Sequence, residues 1–192
     1  MLSRVRDSVR TWIKKIAKPF ARAGLSPNHI TVIALLVGIL GGLLFYWQKA
    51  WLAGVVILLG GFFDVIDGAV ARLTGRVTRF GGVLDSVFDR ITDAVLYIGV
   101  LAGGLGSLLG EPEWILPVFA LLGSMLVSYV RARAESAGSG KLDVGIAERA
   151  ERLLILAIGA FLNLVPFALL IIVVLTFFTV IQRVWEARLR LT

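Results

Sequence analysis

Apolar residues run along this chain in long blocks, broken by short polar stretches. Residues 30–47, 94–110, 114–130 and 153–182 contain no Asp, Glu, Lys or Arg. A helix crossing the hydrocarbon of a bilayer needs about 20 mainly apolar residues. The blocks, with the mainly apolar stretch 51–72, therefore predict spans at 28–47, 51–72, 82–105 and 113–134. The last block is too long for one crossing, and the turn signal "NLVP" at 163–166 divides it into spans at 146–162 and 166–187. The expected fold is all-α, a polytopic membrane protein with a six-helix bundle over 28–187, in one domain covering residues 1–192.

Residues 1–25 follow a different pattern. Val5, Val9, Trp12, Ile13, Ile16 and Phe20 recur at helical spacing among Arg and Lys. That predicts an amphipathic juxtamembrane helix lying in the membrane interface; the alternative is a basic tail that only helps set topology. Trp47, Trp51, Trp114 and Trp185 fall at predicted span ends, as interfacial anchors do. Gly38 and Gly42 form a GxxxG that permits close helix packing in the first span.

Composition narrows the class further. The chain is 58% hydrophobic with mean hydropathy +0.88, and a soluble domain this apolar would aggregate. The first 29 residues are cationic and lack the apolar core of a signal peptide. The absence of cysteine removes disulfides, thiolate metal sites and cysteine nucleophiles. The net charge of +7 does not point to nucleic acid, because the cations cluster at span ends, where membrane lipids or an anionic substrate would meet them. They fall in alternate connections: the N-terminal segment, the Arg72–Arg76–Arg79 region, the 131–152 region and the C-terminus, with Lys49 alone on the opposite side. By the positive-inside rule both termini of this integral cell-membrane protein are cytoplasmic.

Five aspartates break the apolar pattern. Asp64 and Asp67 lie three residues apart near the inner end of the second span, and Asp85, Asp89 and Asp93 recur every four residues along the third. Each set occupies one helical face, so two antiparallel neighbours bring the acidic faces together at one cytoplasmic depth. Carboxylates in hydrocarbon are costly, and so many together repel one another unless a cation intervenes. Oxygen ligands without His or Cys suit Mg2+ or Mn2+, and four carboxylates suffice for two ions of the kind that clamp phosphoryl groups. Arg72, Arg76 and Arg79 offer charge for phosphate or pyrophosphate. Two other readings stay open on spacing alone: a cation or proton relay of a transporter, and acidic residues paired with those arginines to join two helices.

Asp64, Asp67, Gly68, Ala71, Arg72, Gly81, Asp85 and Asp89 also fit D-x2-D-G-x2-A-R-x8-G-x3-D-x3-D without a gap. This is the signature of the CDP-alcohol phosphotransferases, and the six-span layout resembles that family along nearly the whole chain. The resemblance implies transfer of a phosphatidyl-type group from a CDP-linked lipid to an alcohol, with release of CMP. It implies that Asp64, Asp67, Asp85 and Asp89 hold the divalent ions and that Asp89 is also the catalytic base. Asp67, Gly68, Ala71, Arg72, Gly81 and Asp85 would form the CDP-lipid site, with Pro27 and Thr31 of "SPNHIT" beside the nucleotide. A homodimer, with the active site on the cytoplasmic side, is expected on the same ground.

For the acceptor, "YVRARAESAGSGKLDVGIAERAER" (129–152), "TRFGGVLDSVFDRITD" and "QR" at 182–183 resemble the subgroup using inositol phosphate. A dianionic phosphate calls for convergent cations. Arg131, Arg149 and Arg183 are the candidates, followed by Arg133 and Arg152; each could instead pair with Glu135, Glu148 or Glu151. Glycerol 3-phosphate is the alternative acceptor. "DVGIAERAERLL" is more similar to the archaeal version, whose donor would be CDP-archaeol rather than CDP-diacylglycerol. His29 is expected to be a helix-entry residue, and Asp93, outside the signature, to pair with a cation or polar group in the bundle.

Overall fold

The computed structural model describes residues 2–192, with side-chain surroundings from Trp12 onward. Seven helices follow in order: α1 (Leu2–Arg22), α2 (Pro27–Tyr46), α3 (Ala50–Thr74), α4 (Arg79–Ala102), α5 (Ile115–Ser136), α6 (Arg149–Phe161) and α7 (Val165–Leu191). No strand occurs among the described residues. Among the described residues, four helices are long and apolar enough to cross a membrane: α2, α3, α5 and α7. The other two expected spans differ for physical reasons. Helix α4 carries Asp85, Asp89, Arg90 and Asp93 within its first two-thirds, and α6 is only 13 residues long. Residues 137–148, part of which was expected to be helical, form an irregular loop containing Gly138, Gly140 and Gly145 at positive φ.

Local chemistry sets the helix ends. Ser26 caps α2 by accepting from the His29 N–H at 3.3 Å, with Pro27 at the first helical position. His29 is thus an exposed helix-entry residue. Gly75 closes α3 in the left-handed conformation, φ 66°, and Thr78 opens α4 by accepting from the Gly81 N–H at 2.9 Å. This short reversal sets the acidic ends of α3 and α4 side by side. The "NLVP" turn falls where expected, with Asn163 at φ 55° just ahead of α7.

Helix α2 packs on both α3 and α4, α3 on α6, and α5 on α7. The α2–α4 crossing is built on absent side chains: a Cβ on Gly99 would strike the Gly42 carbonyl oxygen, and one on Gly42 would strike Val95. Phe45, Ile57, Leu96, Val100, Leu156, Leu169 and Ile172 fill the interior. A smaller cluster, Ala17, Ile30, Ile66, Ala69 and Val70, docks α1 against the ends of α2 and α3 through Ile13 and Phe20. The expected apolar stripe of α1 is therefore split: Ile13 and Phe20 turn to the bundle, while Trp12 and Ile16 stay exposed. Val5 and Val9 lie outside the residues whose side chains are described. Leu36, Leu58, Leu122, Ile171 and Val174 cover the bundle's outside, a greasy exterior suited to lipid. The chain is an integral membrane protein.

Candidate active site

The α3–α4 reversal brings one carboxylate oxygen each from Asp64, Asp67 and Asp85 within 4.8 Å of one another. Thr31, from the first turn and a half of α2, donates to Asp67 Oδ2 at 2.8 Å. Its hydroxyl also lies 3.0 Å from the Pro27 carbonyl, which ties "SPNHIT" to the aspartates. Asp85 Oδ1 is buried and has no hydrogen-bond partner. A buried acceptor left this way is costly unless another species satisfies it. Three converging carboxylates, one with an unused oxygen, make a donor set that fits a hard divalent cation.

Asp89 lies to one side of that trio. Its Oδ1 takes a 2.8 Å ion pair from Arg149 Nη1, and Arg90 Nη1 lies 3.4 Å from Oδ2. The same Arg149 nitrogen reaches Asp64 Oδ2 at 3.1 Å, so one guanidinium bridges the trio and Asp89. The remaining signature positions gather nearby. Arg72 folds back over Gly68, where a Cβ would come within 3.3 Å of Nη1. A Cβ on Gly81 would lie 3.6 Å from Asn28 Oδ1, so the starts of α2 and α4 adjoin. Ala71 sits half-buried on α3 beside Arg72. Among the described residues, Arg72, Arg76 and Arg79 make no ion pair with the aspartates, so they are not what holds the two helices together; Arg149 bridges Asp64 of α3 and Asp89 of α4, while the Arg90–Asp89 pair lies within α4.

A cavity of about 820 Å³ adjoins the aspartates. Asp64 and Asp89 line it together with Arg131, Arg149, Arg152 and Arg183, and Glu135, Glu148 and apolar Ile57, Leu58 and Leu154 are also in its wall. Four of the five expected acceptor arginines therefore converge from α5, α6 and α7; Arg133 is exposed and lies outside the lining. Their existing bonds distinguish them. Arg131 meets Glu135 at 3.1 Å, Asp143 at 2.9 Å and Glu148 at 3.8 Å. Arg183 donates to the Val127 and Val144 carbonyls at 2.7 and 2.8 Å and lies 3.4 Å from Glu148. Arg152 is committed to Asp93, at 2.9 Å, and to the Ala147 carbonyl.

Sequence patterning left Arg90 without a role, because it is a single charge inside an acidic stripe. Glu148 is, as one alternative had it, a partner of the arginines, of Arg131 on α5 and Arg183 on α7. Asp93 has the partner expected of it, Arg152, with Arg149 beside it.

The sequence pattern of the CDP-alcohol phosphatidyltransferase family matches residues 25–182. The chain belongs to this family. It is therefore a CDP-alcohol phosphotransferase, and the family match favours transferase chemistry over a cation relay. The archaetidylinositol phosphate synthase of Pyrococcus horikoshii is 44% identical over 100% of this chain and 98% of its own length. The protein of that name from Methanothermobacter thermautotrophicus is 39% identical, covering 97% of this chain and 95% of its own. The phosphatidylinositol phosphate synthase of Mycobacterium tuberculosis, crystallised with CDP-DAG bound, has TM-score 0.81 at 32% identity, over 91% of this chain and 92% of that one. The same enzyme in complex with manganese and citrate gives TM-score 0.82 at 32% identity, over 91% and 88% of the two chains. The resemblance to the inositol-phosphate-using subgroup is thus matched by the names of these relatives.

Proposed function

We propose that this chain transfers a phosphatidyl-type group from a CDP-activated lipid to the hydroxyl of myo-inositol 1-phosphate, forming a phosphoinositol-phosphate lipid and releasing CMP. One observation carries the reading: Asp64 of α3 and Asp89 of α4 line the same cavity as Arg131 of α5, Arg149 and Arg152 of α6 and Arg183 of α7. Carboxylates serve the metal and pyrophosphate side of a transfer, and arginines the acceptor's phosphate. CDP-archaeol is the proposed donor, supported by the higher identity to relatives named for archaetidyl lipids, 44% and 39%, than to a Mycolicibacterium smegmatis relative named for phosphatidyl lipids, 35%. CDP-diacylglycerol is the second donor to test.

In this reading Asp64, Asp67 and Asp85 hold a Mg2+ or Mn2+ ion, and Asp89 helps hold a second. Bound there, the ions would neutralise charge on the pyrophosphate and on departing CMP. Thr31 fixes Asp67, and the absence of side chains at Gly68 and Gly81 lets the donor's head approach the backbone beside Ala71 and Arg72. Arg131, Arg149 and Arg183 take the acceptor phosphate, with Arg152 behind them and Arg133 steering from outside. The acceptor oxygen attacks the phosphorus nearest the lipid, the bond from that phosphorus to CMP breaks, and Asp89 takes the hydroxyl proton.

The wider arrangement belongs to the same proposal. Six of the helices cross the bilayer in one domain covering residues 1–192, α1 lies in the interface, and both termini and the active site face the cytoplasm. Assembly as a homodimer rests on the family resemblance alone. The deciding experiment offers purified protein one CDP-lipid with inositol phosphate, free inositol, glycerol 3-phosphate or serine and follows CMP release. Inositol phosphate should give the highest rate; a higher rate with glycerol 3-phosphate would replace the acceptor while leaving the transfer chemistry in place.

A further inference from the structure

Asp93 lies outside the eight-position signature, yet it is 4% exposed, and its partner Arg152 is 2% exposed. Arg152 Nη2 donates to Asp93 Oδ2 at 2.9 Å. The other oxygen, Oδ1, faces Arg149 Nε at 3.5 Å, and neither of those two atoms has a hydrogen-bond partner. Arg149 therefore stands among three carboxylates, with Asp64 and Asp89 at Nη1 and Asp93 at Nε. A buried ion pair is a poor way to join two helices, since apolar side chains of similar volume do so at least as well. The position of Asp93 suggests a different use. Arg149 and a divalent cation compete for the same Asp64 carboxylate, and among the described ion-pair partners of Arg149 it is Asp93 that belongs to neither the signature nor the proposed metal set.

We propose that Asp93 is a positioning residue that acts through Arg149, holding the guanidinium by its Nε edge so that a divalent ion can claim Asp64. The inference rests on reading Asp64, Asp67 and Asp85 as a metal site. Without the charge of Asp93, the anions left to Arg149 at this seam are Asp64 and Asp89, and the ion must displace a more tightly held competitor.

The test is Mn2+ binding to the purified full-length protein without lipid or acceptor. Asp93→Asn should raise the Mn2+ dissociation constant about five-fold or more, a coupling usual within one ion-pair network. In an Arg149→Ala background the same substitution should change it by no more than about two-fold. Because Asp93→Asn strands the Arg152 charge, Asp93→Asn with Arg152→Gln is the second variant, and it should show the same weakening. Asp93→Glu should restore part of the affinity. Unchanged Mn2+ affinity with a lowered unfolding temperature would make Asp93 purely structural and overturn the proposal. Equal weakening with and without Arg149 would also overturn it, as a through-space effect of charge. Wild-type protein that binds no Mn2+ would overturn this proposal and the metal site together, whereas a different acceptor alcohol leaves the result untouched.

Discussion

Asp85 Oδ1 is the single atom that states the chemistry most plainly, because a buried carboxylate oxygen with no donor calls for a cation. Asp85→Asn should abolish Mn2+ binding and CMP release together, measured by titration and by nucleotide assay. Asp89→Asn should separate the two, lowering kcat by about 10²–10⁴-fold while Mn2+ still binds at the trio. On the acceptor side, Arg131→Ala should raise the KM for inositol phosphate by about ten-fold or more, the effect of losing one charged hydrogen bond, with the KM for CDP-lipid unchanged. Three- and four-residue spacing was enough to bring Asp64, Asp67 and Asp85 together, because Asp64 and Asp67 share a face of α3, Asp85 lies in the acidic stripe of α4, and only one short reversal separates the helices. Spacing could not single out Arg149 as the cation between Asp64 and Asp89. That contact joins α6 to α3 and α4 across many intervening residues, and Arg72, Arg76 and Arg79 lay nearer in sequence.

Among the elements, the two that fall short of an ordinary membrane span, α4 and α6, carry Asp85 and Asp89 and Arg149 and Arg152 of the site, and conflict with a local rule is expected where function is placed. The caps that position them were legible only in part. Ser26 before Pro27 is a recognisable helix start, whereas the Thr78 cap sits in a polar run where several residues could have served. Thr78→Ala should cost about 1 kcal/mol, read as a lower unfolding temperature in detergent. The α2–α4 crossing should tolerate less. Gly42→Val places a branched side chain against Val95, and overpacking of this kind costs about 1–3 kcal/mol or more. Its expected result is loss of monodisperse protein on size exclusion. The GxxxG of Gly38 and Gly42 was visible in the sequence, but its partner face on α4, with Thr92, Val95 and Gly99, was not.

At the scale of the whole molecule, the account is a charged pocket in an apolar bundle, lined by aspartates of α3 and α4 together with arginines of α5, α6 and α7. A chain without cysteine is a ready background for topology mapping. Single cysteines placed at Gly138 and at Lys49 should label from opposite sides of the membrane if the distribution of cations sets orientation. The central claim is that a divalent ion binds where the aspartates of α3 and α4 meet beside that pocket. Anomalous diffraction from crystals grown with Mn2+ and a CDP-lipid tests it most directly. The account predicts a manganese peak within coordination distance of the Asp64, Asp67 and Asp85 carboxylates. Manganese elsewhere, or none at that point in crystals of protein that still releases CMP, would contradict it.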